Sequence, residues 1–136
     1  MASRFFGWVH SLTWLFRLQF LVALAIFTYF TLATDPTFST ANNDKVWHFV
    51  GNLLFFLSAR LAVLRLGNIW FVLGFVLLYG AAMELAQNLV PQRMFDVRDL
   101  VANALGVTAG LVIALIIQWL WSRLQSTHSV DDHAPP

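Results

Sequence analysis

Residues 69–90 read IWFVLGFVLLYGAAMELAQNLV, a run of 22 residues in which Glu84 is the one charged side chain. A helix needs about 20 apolar residues to cross the hydrocarbon core of a bilayer, so this run is long enough to be a transmembrane helix. Similar apolar runs occur elsewhere in the chain. The sequence therefore predicts an all-α membrane protein with four transmembrane helices, at about residues 15–34, 46–64, 69–90 and 99–121.

The composition of the whole chain agrees with this class. Charged residues make up 11% of the 136 residues and hydrophobic residues 59%, and the mean hydropathy is +0.69. A soluble domain of this size buries only about two-thirds of its chain surface, which leaves too little interior for so many apolar side chains. Disorder requires low hydrophobicity, and a net charge of +1 provides no basic field for nucleic acid. The chain has no cysteine, which excludes disulfides and thiolate metal sites.

The connections between the apolar runs are short, so we expect an up-down antiparallel bundle in a single domain, residues 1–123. The polar tail, residues 124–136, ends in two prolines and is predicted to be disordered. Four spans place both termini on one side. That side is predicted to be cytoplasmic because it has five of the eight basic residues: Arg4, Arg17, Arg60, Arg65 and Arg123, against Lys45, Arg93 and Arg98.

Polar residues recur at helical spacing near one end of three spans. Asp44 and His48 are four residues apart at the start of the second span, and Asp99 and Asn103 repeat this spacing at the start of the fourth. Glu84 lies near the end of the third span, where an ionisable group costs about 2.5–3.5 kcal/mol and usually has a function. Antiparallel connectivity brings these three ends to the same membrane face, which predicts an outward-facing polar crevice.

Two glycines continue the stripe of the fourth span. Gly106 and Gly110 form a G-x-x-x-G pattern in line with Asp99 and Asn103. This spacing lets two helix backbones approach closely in lipid. We therefore expect the fourth span to pack tightly against a neighbour.

Three ordered motifs carry a family resemblance. They are D-K-x-x-H-F from Asp44, E-x-x-Q from Glu84, and P-x-R-x-x-D-x-x-D-x-x-x-N-x-x-G from Pro91. Together they resemble the VanZ-like family of small bacterial membrane proteins over residues 44–110. The resemblance implies a multi-pass protein of the bacterial cytoplasmic (inner) membrane with a link to teicoplanin resistance. The chain departs from the pattern at Gly51-Asn52, where a larger residue is expected.

Three hypotheses for the crevice follow. It binds the head group of a cell-envelope lipid, or it is an intramembrane enzyme acting on a lipid phosphate or glycolipid, or it is a structural clasp between helices. The candidate catalytic residues are His48, Glu84 and Asp96, and the candidate substrate-binding residues are Asp44, Lys45, Gln87, Arg93, Asp99 and Asn103. If the crevice is a clasp, Glu84 would bond to His48, Asn103 or Arg93. Arg93 would pair with Asp96 or Asp99. Asp99 would cap the start of the fourth span.

No cofactor and no metal site are predicted. A site formed by His48, Glu84, Asp96 and Asp99 is the alternative, but no local ligand spacing supports it. The predicted partners are membrane lipids, with a lipid-linked envelope precursor as one candidate. The oligomeric state, the ligand and the presence of enzymatic activity stay open.

Overall fold

The computed structural model describes residues 12–33, 43–63, 68–91 and 93–131, with side chains described through residue 125. These residues form four helices and no strand. The helices are α1 (Thr13–Leu32), α2 (Asp44–Ala62), α3 (Ile69–Gln87) and α4 (Val97–Asp131). The all-α fold class is therefore confirmed. Arg4 and Arg65, which entered the prediction of orientation, lie outside the described residues.

Three of the four described helices suit a membrane crossing by length and composition. They are α1, α3 and residues Val97–Gln125 of α4. The remaining helix, α2, carries the charged residues Asp44, Lys45 and Arg60. It contacts each of the other three helices, and its buried face includes His48 and Asn52. The chain is thus a membrane protein in which α2, with three charged residues, is packed among the three helices that suit a membrane crossing.

Contacts between helix ends give the relative directions of the helices. Gln19 near the start of α1 donates a hydrogen bond to Ser58 near the end of α2. Gln87 at the end of α3 donates to the carbonyl of Thr31 at the end of α1, over 3.1 Å. Helix α1 is therefore antiparallel to α2 and parallel to α3, as an up-down bundle requires.

The glycine stripe of α4 packs on α2, as the sequence predicts. A Cβ atom added to Gly106 would lie 2.1 Å from the backbone oxygen of Phe49. One added to Gly110 would lie 3.1 Å from the backbone oxygen of Leu53 and 3.0 Å from the ring of Phe56. The two parallel helices α2 and α4 therefore touch backbone to backbone, which is the contact that G-x-x-x-G permits.

Aromatic rings fill the middle of the bundle between α1, α2 and α3. Phe27 stacks on Phe55 with a centroid separation of 4.7 Å, and Tyr79 lies 5.5 Å from the Phe55 ring. Phe56 and Val76 are fully buried beside them. Large buried side chains of this kind contribute most of the packing energy of a bundle. This aromatic packing keeps α2 and α3 in the relative position at which their polar residues can contact one another.

One asparagine and one aspartate side chain cap the starts of two helices. Asn68 Oδ1 accepts the backbone N–H of Trp70 at the start of α3, over 3.1 Å. Asp96 Oδ1 accepts the N–H of Arg98 at the start of α4, over 2.8 Å. Helix α4 thus begins two residues earlier than predicted, and its cap is Asp96. The alternative role of Asp99 as the cap is wrong, because Asp99 lies inside the first turn.

The end of α4 differs from the prediction as well. The helix continues to Asp131, beyond the predicted end of the fourth span at about residue 121, and the disorder of the tail stays a prediction. Residues 121–131 contain no glycine or proline. Each added residue of a growing helix gains a hydrogen bond at little cost, so the helix continues past the apolar run. Residues 132–136 of the predicted tail lie outside the described residues.

Candidate functional site

Eight polar residues meet at one end of the bundle. They come from the start of α2, the end of α3 and the start of α4, with one from the segment just before α4. We call them the polar cluster: Asp44, Lys45, His48, Asn52, Glu84, Asp96, Asp99 and Asn103. The convergence expected from helical spacing and antiparallel connectivity is therefore observed.

Glu84 is one of the two fully buried members of the polar cluster, with Asn52. Its side chain is fully buried. Its Oε1 atom lies 3.0 Å from His48 Nδ1 and accepts a hydrogen bond of 2.9 Å from Asn103 Nδ2. Two of the three partners named for the clasp hypothesis, His48 and Asn103, thus bond to Glu84, whereas Arg93 does not among the described residues.

Asn52 belongs to this network as well, although it is not among the site residues that the sequence predicts. It is fully buried and donates through Nδ2 to Asn103 Oδ1, over 2.6 Å, and to the carbonyl of His48, over 3.0 Å. Room for it is made by Gly80 on α3, where an added Cβ would lie 3.1 Å from Asn52 Oδ1. The available signal was its position, four residues after His48 on the same stripe.

The surroundings of His48 fix which ring nitrogen carries the proton. Nδ1 faces two acceptors, Glu84 Oε1 at 3.0 Å and Asn103 Oδ1 at 3.1 Å. Glu84 Oε1 already accepts a hydrogen bond from Asn103 Nδ2, and Asn103 Oδ1 accepts one from Asn52 Nδ2. Both oxygens that face His48 Nδ1 are therefore acceptors. Nδ1 must therefore be the donor. In the neutral imidazole this leaves the lone pair on Nε2.

The outer part of the polar cluster is more accessible. Lys45 Nζ lies 3.4 Å from Asp99 Oδ1 and 3.6 Å from Asp96 Oδ2. The Lys45 and Asp96 side chains are each 42% exposed, whereas that of Asp99 is 7% exposed. The N–H of Arg98 that bonds to Asp96 lowers the pKa of this carboxyl, and the charge of Lys45 adds to the effect. Asp96 is thus an ionised rim residue.

Two other predicted binding residues lie apart from this network. The side chain of Gln87 is buried and donates to Thr31 of α1, so it joins helices outside the polar cluster. Arg93 lies in the extended segment before α4, and its guanidinium makes no hydrogen bond or ion pair with a described residue. The expected pairing of Arg93 with Asp96 or Asp99 is not found, because Lys45 contacts both carboxylates.

Two buried oxygens of the polar cluster are left without a hydrogen bond from the described residues: Glu84 Oε2 and Asn52 Oδ1. A buried acceptor without a donor is rare and costly in a folded protein. The arrangement therefore has unused capacity to accept hydrogen bonds. It also offers a possible ligand set, because one ligand atom each from Asp44, His48 and Asp99 lie within 4.8 Å of one another.

The comparison with known families gives one result. The family model described as VanZ/LLP1 matches residues 3–118, which include the first three predicted spans, all but the last three residues of the fourth, and the whole polar cluster. No curated protein and no solved structure matches the chain. With most of its length matched, including every residue that builds the site, the chain belongs to the VanZ/LLP1 family.

Proposed function

We propose that the polar end of the bundle binds the phosphate-bearing head group of a cell-envelope lipid. The observation that carries the proposal is Arg93, a partly buried residue three positions before Asp96 in the segment that leads into α4, whose guanidinium bonds to no described residue. A guanidinium binds phosphate through two parallel hydrogen bonds and is the side chain best suited to this task. At a helix end in a membrane protein, such a group lies at the depth of lipid head groups.

The remaining chemistry of the site suits the uncharged part of such a head group. The carboxylate of Asp96 at the rim is 42% exposed and accepts hydrogen bonds, which hydroxyl or amine groups of a head group would donate. A polyprenyl-linked precursor combines a phosphate with sugar hydroxyls and therefore matches both parts of the site. In this proposal the polar end faces outward from the bacterial cytoplasmic membrane and both termini are cytoplasmic, as the bias in basic residues supports.

A short-chain pair of probes tests the phosphate contact. We expect purified protein in detergent to bind farnesyl phosphate more tightly than farnesol, which differs from it only by the phosphate. Arg93→Gln should weaken farnesyl phosphate binding by roughly 10–100-fold, because a hydrogen bond to a charged group contributes about 1.5–3 kcal/mol. Titration calorimetry measures both affinities.

Arg98→Gln is the matched control, since Arg98 is an exposed arginine five residues further along the same end. It should bind farnesyl phosphate as the wild type does. Equal binding of the two probes, or equal losses in the two arginine variants, would contradict the proposal. If the bound lipid is the target of a glycopeptide, expression of the wild type but not of Arg93→Gln should reduce teicoplanin susceptibility.

An enzyme is the second candidate, and the observation that favours it is the 3.0 Å contact between His48 Nδ1 and Glu84 Oε1. A carboxylate that holds an imidazole in one tautomer is a common arrangement for proton transfer. In this case Arg93 would hold the lipid phosphate while His48 and Glu84 move the proton.

Release of inorganic phosphate from a lipid phosphate tests the enzymatic alternative. We expect Glu84→Gln to lower the turnover by about 100-fold or more if the carboxylate is the general base, since proton transfer contributes typically 10²–10⁴-fold. Binding of farnesyl phosphate should change far less. Equal turnover in wild type and Glu84→Gln would exclude Glu84 as the acid or base.

A further inference from the structure

We propose that the polar cluster contains a divalent-cation site formed by His48 Nε2 and one carboxylate oxygen each of Asp44 and Asp99. The three ligand atoms lie within 4.8 Å of one another. The sequence alone predicts no metal, because no local ligand spacing supports one. The site differs from the earlier alternative set, in which Glu84 and Asp96 replaced Asp44.

The orientation of the imidazole is the first step of the argument. Nδ1 is the donor toward Glu84 and Asn103, so the Nε2 lone pair of the neutral ring faces the opposite way. The atoms it meets there are Asp44 Oδ1 and Asp99 Oδ2. A lone pair facing two carboxylate oxygens is repulsive. A cation between the three atoms converts this repulsion into coordination.

The distances separate coordination from direct hydrogen bonding. Nε2 lies 3.8 Å from Asp44 Oδ1 and 3.9 Å from Asp99 Oδ2. A charged hydrogen bond from a protonated Nε2 would be about 2.7–2.9 Å long. Ligand atoms that share a metal at about 2.0–2.2 Å are in contrast roughly 3–4 Å apart. The two spacings are therefore longer than a charged hydrogen bond and match ligand atoms that share one cation.

The charge balance points the same way. Asp44, Asp99 and Glu84 surround the ring of His48, and Lys45 is the one described cation in contact with these carboxylates, through Asp99. The three acids exceed this ammonium by two charges. The N-termini of α2 and α4 supply about half a positive charge each, which leaves an excess of roughly one negative charge. A buried uncompensated charge is costly, and a bound cation removes that cost.

Glu84, on the side of the ring opposite the proposed ion, has the position of the residue that orients a metal-bound histidine. It is fully buried, its Oε1 holds Nδ1, and its Oε2 has no partner among the described residues. Metal-bound histidines almost always donate their other ring N–H to a carboxylate, a backbone carbonyl or a water, which orients the ring and raises its basicity. The carboxylate–histidine pair is thus already arranged as in a metal site.

The ligand set selects the class of metal. One imidazole with two carboxylates suits Mn²⁺ or Zn²⁺ more than the oxygen-only sites typical of Ca²⁺. The Asp44 side chain is 26% exposed, which gives the ion a route in from the rim. Three protein ligands leave a coordination position for water or for an oxygen of a bound molecule.

Binding of the metal alone tests the inference. Purified full-length protein in detergent is stripped with chelator and titrated with Mn²⁺, whose free ion is followed by electron paramagnetic resonance. Equilibrium dialysis with Zn²⁺ gives the stoichiometry. We expect one ion per chain, and Asp44→Asn and Asp99→Asn should each weaken binding by about tenfold or more, as should Glu84→Gln behind the ring.

Asp131→Asn is the matched control, the same substitution on α4 but 32 residues from Asp99 and therefore about 48 Å along the helix. It should bind as the wild type does. No stoichiometric binding, or unchanged binding by a folded Asp44→Asn, would overturn the inference, and Asp44→Asn decides if Asp99→Asn does not fold. The probe contains no lipid, so this result is independent of the proposed head-group binding.

Discussion

Gly106→Ala is expected to destabilise the protein more than any other glycine-to-alanine change among the described helices. The new Cβ would lie 2.1 Å from the backbone oxygen of Phe49, and that carbonyl belongs to helix α2 and cannot rotate away. The two helices must separate by about an ångström or more. Overpacking of this kind costs typically about 1–3 kcal/mol, and we expect the upper end because backbone meets backbone.

The chain supplies its own controls for this prediction. An alanine Cβ at Gly74 on α3 meets nothing within 4 Å, so Gly74→Ala should gain roughly 0.5–1 kcal/mol from its better helix propensity. Gly110→Ala should fall between the two, because its nearest atoms lie at 3.0 and 3.1 Å. Thermal unfolding in detergent measures the order, and equal melting of Gly106→Ala and Gly74→Ala would contradict the contact between α2 and α4.

The same substitution should also disturb the site. Phe49 follows His48 directly in α2, and Asn103 lies one turn before Gly106 in α4. Moving α4 away at Gly106 therefore lengthens the hydrogen bonds that Asn103 makes with His48 and Glu84. Loss of binding in Gly106→Ala would follow from geometry, with every polar side chain still present.

The proximity of His48, Glu84 and Asn103 can be predicted from the sequence, because two simple rules determine it. Helical spacing places polar residues on one stripe, and short connections bring alternate helix ends to one membrane face. The contact at Gly106 follows from the same periodicity. All of these features depend on distances along a single helix or on the order of the spans, which a sequence contains directly.

The features that the sequence does not predict depend on the lateral arrangement of helices. Gln87 bonds to α1 because α1 packs beside α3, and nothing in the spacing indicates which helix fills that place. Lys45, and not Arg93, contacts Asp96 and Asp99, because the backbone contact between α2 and α4 brings the start of α2 close to these carboxylates. Asn52 is similar, since its role depends on the space left by Gly80.

Glu84→Leu is expected to lower stability strongly, whereas Glu84→Gln should change it little. Leucine leaves Asn103 Nδ2 without its acceptor and removes one acceptor of His48 Nδ1 in a buried place. Removing one partner from a buried charged network costs about 3–5 kcal/mol. Glutamine keeps an oxygen at the position of Oε1, so both donors stay bonded. Thermal unfolding of the two variants in the same detergent gives the comparison.

The Glu84 variants also separate a clasp from a binding site. If the polar cluster were only a clasp, neither the wild type nor Glu84→Gln would bind metal, and Glu84→Gln would keep its stability because a clasp needs hydrogen bonds and no charge. A site needs the carboxylate itself, and Glu84→Gln would then lose metal affinity without a change in melting. We expect the second result, because the unpartnered Oε2 does nothing for a clasp.

The triple variant His48→Leu/Glu84→Leu/Asn103→Leu further distinguishes a structural clasp from a binding site. Replacing a whole buried polar network by apolar side chains is often neutral or stabilising, in contrast to removing one member. We therefore expect the triple variant to melt closer to the wild type than Glu84→Leu does, with no stoichiometric binding of Mn²⁺. A triple variant less stable than Glu84→Leu would instead mean that the network itself holds the helices together. If the protein folds without these three polar groups, their contribution is to ligand binding and not to stability.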